Sequence, residues 1–161
     1  MTKLKAIAAS GIPHALEKAE RYRLLNDPAQ AESICRDVLA VDATHQDALR
    51  ILILALTDQF GESTASTTEA RARVKELKDE YERTYYTGIV YERETRAYLR
   101  RKNVVRSAAY DGFRHAMEHY ERAGELRPND VDAVLRWNSC VRAIETERLE
   151  AEVGGPELPL E

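Results

Sequence analysis

Glycine and proline are scarce, 7 and 5 in 161 residues, too few to punctuate an all-β fold with its many short turns. Cysteine is scarcer still. Cys35 and Cys140 lie far apart, without the C-x-x-C spacing of redox or zinc chemistry. Both fall within apolar helical patterns, which reads as buried reduced thiols and not as a bridge or a nucleophile. Long apolar runs are also missing: the densest, Ile51 to Leu56, is a third of the roughly 18 residues a membrane span requires. Lys3 and Lys5 precede an apolar stretch too short for a secretory signal core. A cytoplasmic protein without a membrane partner is expected. Positive charge is not in excess, with 24 Lys and Arg against 28 Asp and Glu and a net charge of -4. The chain as a whole has no electrostatic reason to bind nucleic acid, so any basic site must be local. No Gly-rich phosphate loop, nucleophile elbow or dinucleotide fingerprint occurs. No cofactor, resident metal or small-molecule substrate is therefore expected.

What the chain does contain is amphipathic helix. In "NDPAQAES" Asp27 is placed to cap, Pro28 suits the first helical position, and Ala31, Ile34, Cys35, Val38, Leu39 and Val41 form one apolar stripe. Ala15 to Leu25 reads as an antiparallel companion, with Ala15, Leu16, Ala19, Tyr22 and Leu25 inward. Thr44 and Asp47 resemble a capping box opening a helix to about Phe60. That helix is apolar nearly all round and should lie at the centre. Ser66 and Glu69 repeat the box, so a helix should start near residue 67, with Ala70, Val74, Leu77, Tyr81 and Tyr85 inward and a break at Thr87–Gly88. A longer helix is expected from Ile89 to about Ser107, then another to Leu126 burying Phe113, Ala116, Met117, Tyr120 and Ala123. Pro128 stops it, Asn129 or Asp130 caps the last helix, and Val134, Trp137, Val141 and Ile144 face inward. These signals give an all-α chain. Residues 1–11 form a tail or short helix, 12–152 the helical domain, and 153–161, "VGGPELPLE", a mobile tail.

Ala31, Cys35, Val38 and Asp42 share their spacing with Ala116, Tyr120, Ala123 and Arg127. A small, a bulky and a smaller residue before a polar corner suit two helices that pack closely at one crossing. Units of this kind cannot bury their faces alone, so they stack. Through these residues, with Ala19, Tyr22 and Pro128, the chain resembles the tetratricopeptide repeat family over residues 12 to 60 and about 108 to 144. Residues 61 to 107 depart from its rhythm. The resemblance implies antiparallel helix hairpins stacked as a short right-handed superhelix. It also implies a non-enzymatic scaffold that binds a peptide or protein partner in a concave groove. Carried across, the groove positions are Leu16, Glu20 and Arg23, then Asp47, Arg50 and Leu54, and later Leu135 and Arg142. Leu16 and Glu20 stand where the chaperone-binding members need a Lys and an Asn, so chaperone-tail binding is not expected.

Three patterns offer more specific chemistry. Arg93, Arg96 and Arg100 recur on one helix face and suit the clamping of carboxylates or phosphates. Glu94 and Arg101 fall inside the apolar arc of Val90, Tyr91, Ala97, Tyr98, Val104 and Val105, where a charge must be paired or reach a cavity. His115, Glu118 and His119 match H-x-x-E-H, two imidazoles one turn apart beside a general base, and a small zinc-dependent hydrolase would use them. A homo-oligomeric structural protein, packing the same apolar surfaces into a symmetric dimer, is the other reading beside the scaffold.

Overall fold

The computed structural model describes residues 1–62 and 64–153, without the side chains of 64–66. A short 3-10 turn, Ala9–Gly11, leads into seven α-helices: α1 Ile12–Leu24, α2 Pro28–Val41, α3 Gln46–Asp58, α4 Thr64–Val74, α5 Glu80–Leu99, α6 Arg106–Leu126 and α7 Asp132–Thr146. No strand occurs among the described residues, and the chain is all-α.

Each helix packs on its successor, and α1 with α3, and α3 with α5, also touch. Side-chain bridges fix the directions. Arg23 joins Asp58 at 2.5 Å, linking the C-terminal ends of α1 and α3, while Arg50 joins Glu82 at 2.7 Å, linking the N-terminal ends of α3 and α5. These odd-numbered helices therefore run the same way. Gln59 reaches back to Glu32 at 2.8 Å, and Arg122 reaches Glu80 at 3.3 Å, so α2 and α6 run opposite to their odd-numbered neighbours. The central position expected for α3 is observed. It buries Ala48, Leu49, Ile51, Leu52, Ile53, Ala55, Leu56 and Thr57 against neighbours on most sides.

The first turn follows the sequence signals closely. The Asp27 carboxylate accepts the Gln30 amide at 3.3 Å, and Pro28 opens α2. Before it, Asn26 takes φ 60, a left-handed conformation that asparagine tolerates better than most residues. Leu25 lies past the end of α1 and is exposed, not inward. The next corner is built differently from the expected box. His45, not Thr44, caps α3, its Nδ1 accepting the Ala48 amide at 3.3 Å, while the Thr44 hydroxyl donates to Asp42.

The middle of the chain differs most. The stripe from Ala70 to Tyr85 is two helices and not one, because the chain leaves α4 after Val74 and restarts at Asp79, whose side chain accepts the Glu82 amide at 3.2 Å. Gln46 accepts the Lys78 amide at 2.9 Å, and Arg83 donates to the Leu77 carbonyl at 2.8 Å, so the corner's backbone groups are satisfied by side chains. Helix α5 then passes straight through Thr87–Gly88. A Cβ at Gly88 would lie 2.7 Å from Tyr120 Cε1. The glycine thus admits the neighbouring ring and does not break the helix. Instead the break falls at Arg100–Val105, where the Val105 amide donates to the Tyr98 hydroxyl at 2.8 Å. Helix α6 begins at Arg106, within the span expected for the previous helix.

In α7 the buried face carries Ala133 and Cys140, with Trp137, Val141 and Ile144 partly covered; Val134 is 54% exposed. Asp130 accepts the Asp132 amide at 2.9 Å. The cap inferred at Ser66 lies outside the described side chains. Beyond Val153 the expected tail lies outside the described residues too. Among the described residues no helix is long and apolar enough to cross a membrane.

Candidate functional site

The same-direction packing of α1, α3 and α5 sets the C-terminal ends of α1 and α3 against the C-terminal part of α5. A cavity of about 230 Å³ opens there, lined by Arg23, Asn26, Thr57, Asp58, Arg93, Arg96 and Arg100. A second cavity of about 500 Å³ lies between α5 and α7 and is lined by Arg96, Leu99, Arg100, Ser139, Arg142, Ala143, Thr146 and Glu147. Arg96 and Arg100 belong to both, so the two form adjoining parts of one trough.

Five arginines face two carboxylates along this trough, although the whole chain carries -4. Asp58 serves both Arg23, at 2.5 Å, and Arg93, at 3.5 Å. Arg93 Nε is buried and without a hydrogen-bond partner among the described residues. Burial, the largest influence, lowers the Arg93 pKa; Asp58 opposes this and Arg136 adds to it. Arg100 donates to the Phe60 carbonyl at 3.4 Å. Neither Arg100 nor Arg142 has a carboxylate within ion-pair distance among the described residues, and both are exposed.

Beneath the trough lies a carboxylate the sequence pattern does not single out. Glu92 is 1% exposed, accepts the Tyr120 hydroxyl at 2.6 Å and Arg96 Nε at 3.0 Å, and lies 3.7 Å from Arg136. Arg96 also donates to Ser139 at 2.9 Å. One buried acid thus ties α5 to α6 and α7 and fixes the Arg96 guanidinium in the trough wall. Burial, followed by the charge of Glu92, holds the Tyr120 hydroxyl protonated well above the ordinary phenol range.

The positions expected from sequence divide sharply. Arg23, Arg93, Arg96, Arg100 and Arg142 converge on the trough. Arg50 does not: it is engaged with Asp47 and Glu82. Glu20 is exposed on α1 and lines neither cavity. Glu94 and Arg101 are not enclosed in the core, but they do meet the expectation of a partner or a cavity. Glu94, 43% exposed, pairs with Arg71 of α4, and both Glu94 and Arg101 line a cavity of about 420 Å³, where Arg101 is exposed with its guanidinium over the Tyr98 ring. The arc that placed them inward included Val104 and Val105, which are not on α5. Asp58, Asn26, Ser139, Glu147, Glu92 and Arg136 are among the polar residues of this region that the sequence pattern does not single out. Only the four-residue spacing of Glu92 and Arg96 left a local trace.

His115 and His119 both lie against the Tyr91 ring, at 5.5 and 5.4 Å between centroids, and His119 Nδ1 contacts the His115 carbonyl at 2.8 Å. Glu118 lines a separate surface hollow with Glu121 and Arg122. Among the described residues, no set of three or more His, Cys, Asp or Glu side chains is grouped to hold a metal. Compared with known proteins, the chain matches no family model and no curated protein.

Proposed function

We propose that this chain is a tetratricopeptide-like scaffold that holds a segment of a peptide or protein partner along α1, α3, α5 and α7, without chemistry of its own. The observation that carries this reading is the convergence of five arginines, contributed by three helices, on two adjoining cavities between those helices. Arginine keeps its charge at physiological pH and offers several fixed donors, so it orients an anionic group without exchanging protons with it. The stacked hairpins supply the rigid backing that a docking trough needs. Cys35 and Cys140, buried and unpaired, suit the cytoplasm.

Selection from a displayed random peptide library tests the reading. Peptides enriched on the wild type should lose most of their affinity for an Arg100→Glu/Arg142→Glu variant, since those two side chains are exposed and their loss leaves the core intact. Failure to enrich any peptide, or equal binding to both proteins, would count against the scaffold. Arg96→Glu is a poorer test because it sets a second carboxylate beside buried Glu92.

One observation favours self-association as a second reading. Val131, Val134 and Leu135 are 63%, 54% and 61% exposed at the start of α7, beside an apolar hollow containing Pro128 and Trp137. Light scattering distinguishes a symmetric dimer from a monomeric scaffold.

A further inference from the structure

We infer that the larger cavity of the trough, between α5 and α7, binds a phosphoryl group as its dianion, carried on a phosphorylated side chain of the partner segment. This rests on the scaffold reading and specifies its ligand.

Two helix faces supply the donors. Arg96 and Arg100 lie one turn apart on α5, and Ser139, Arg142 and Thr146 recur at three- and four-residue steps on α7, so both rows border the same cavity of about 500 Å³. Glu92 holds Arg96 from beneath through Nε, and Arg96 donates a second hydrogen bond to the Ser139 oxygen. Because that oxygen accepts from Arg96, its own O–H remains to donate, and no acceptor meets it among the described residues. Arg142 has neither an ion pair nor a side-chain hydrogen bond among those residues, and Arg100 reaches only the Phe60 carbonyl. Donors thus stand on both walls, and Glu147 is the one carboxylate in the lining. The adjoining smaller cavity is not part of this site, since Asp58 already engages its Arg23 and Arg93.

Charge selects the ligand class. The lining holds three arginines against one glutamate, an excess of two positive charges, while the buried Glu92 is offset by Arg136 close to it. A phosphate monoester near -2 matches that excess, whereas a carboxylate at -1 leaves half of it unmatched. The monoester also offers three acceptor oxygens, enough to meet donors from both walls at once, and each guanidinium can take two of them in parallel hydrogen bonds. Nucleic acid fits less well. Each of its phosphodiesters carries a single charge and its affinity comes from many such contacts in a row, whereas these arginines gather around one cavity of a chain that carries -4 overall.

Fluorescence polarisation with labelled peptide pools tests this on the full chain. The pools share random flanks around one fixed residue, which is phosphoserine, phosphotyrosine, Glu or Ser. At least one phosphorylated pool should bind saturably and roughly fivefold or more tighter than the Glu pool, and the Ser pool should not saturate. Arg100→Gln and Arg142→Gln should each weaken it by roughly fivefold or more, with unchanged helical circular dichroism. Lowering the pH from about 7.5 to about 5.5 should weaken it roughly three- to fourfold, because the ester, with a second pKa of about 6, gains a proton there. No histidine lines the cavity, so this loss reports the dianion. Equal binding of the phosphorylated and Glu pools, indifference to both substitutions, or tighter binding of a single-stranded oligonucleotide would overturn the inference. Inorganic phosphate competing as well as the peptides would overturn the assignment to a partner's side chain. The library selection separates this failure from that of the scaffold. Unphosphorylated peptides enriched there, with no binding of the phosphorylated pools, leave the scaffold standing and remove this ligand, whereas binding in neither experiment removes both.

Discussion

Among single residues, Glu92 makes the largest electrostatic demand on the fold. A carboxylate 1% exposed is tolerated because Tyr120 and Arg96 supply charge-assisted hydrogen bonds, with Arg136 close by. Tyr120→Phe keeps the ring that fills the space over Gly88 and deletes only the hydroxyl. It should destabilise by about 1.5–3 kcal/mol, the range for a hydrogen bond to a charged group, measured as a lower urea midpoint. The two thiols give a pH prediction. Burial pushes Cys35 and Cys140 up from 9.0 to about 12. Because the folded values are raised, their contribution is fully present below pH 9 and is lost as pH climbs toward 12, where the unfolded chain releases protons the native state retains. Stability should begin to fall above pH 9, with each thiol contributing up to about 1.4 kcal/mol per pH unit. Urea melts between pH 8 and 10 check this; a Cys35→Ala/Cys140→Ala variant should show a shallower decline.

Helix ends here are set by side chains that the local pattern identifies only in part. Asp27 caps α2 as its sequence context indicates, but the cap of α3 passes from Thr44 to His45, and α5 starts at Asp79 with no break at Gly88. Asp79 also pairs with Arg127 at 2.6 Å, so this cap is coupled to the far end of α6. Asp79→Ala should cost about 0.5–2 kcal/mol. Thr44→Ala should fall within about 0.5 kcal/mol of wild type, because its hydroxyl reaches only the Asp42 side chain. Chemical denaturation of the two variants side by side compares these corners directly. If Thr44 proved the costlier loss, the assignment of the α3 cap to His45 would be wrong.

Across the whole molecule two apolar clusters meet at α5. Val90 and Ala97 belong to the core with α1 to α4, whereas Tyr81 and Ile89 belong to the one with α6 and α7. A helix shared in this way couples the halves, as neighbouring units are coupled in stacked arrays. Leu52 is fully buried in the first cluster, and Leu52→Ala should cost about 2–5 kcal/mol. Trp137 packs in the second, so its fluorescence transition should shift together with helical circular dichroism in that variant. A Trp137 transition left in place would show that the halves unfold independently.

By itself the sequence determined the all-α class, the stripe and cap of α2, the buried centre of α3, and an arginine row on one face of α5. Each depends on residues within a few turns of one another, where helical periodicity and capping act locally. Tertiary structure alone decided that Gly88 would accommodate Tyr120, that Glu92 and not Glu94 would be the buried acid, and that Arg23 and Arg142 would join the row while Arg50 would not. Those outcomes depend on which side chains arrive from helices tens of residues away. Desolvation and close packing are properties of the assembled neighbourhood, and no single helix contains them.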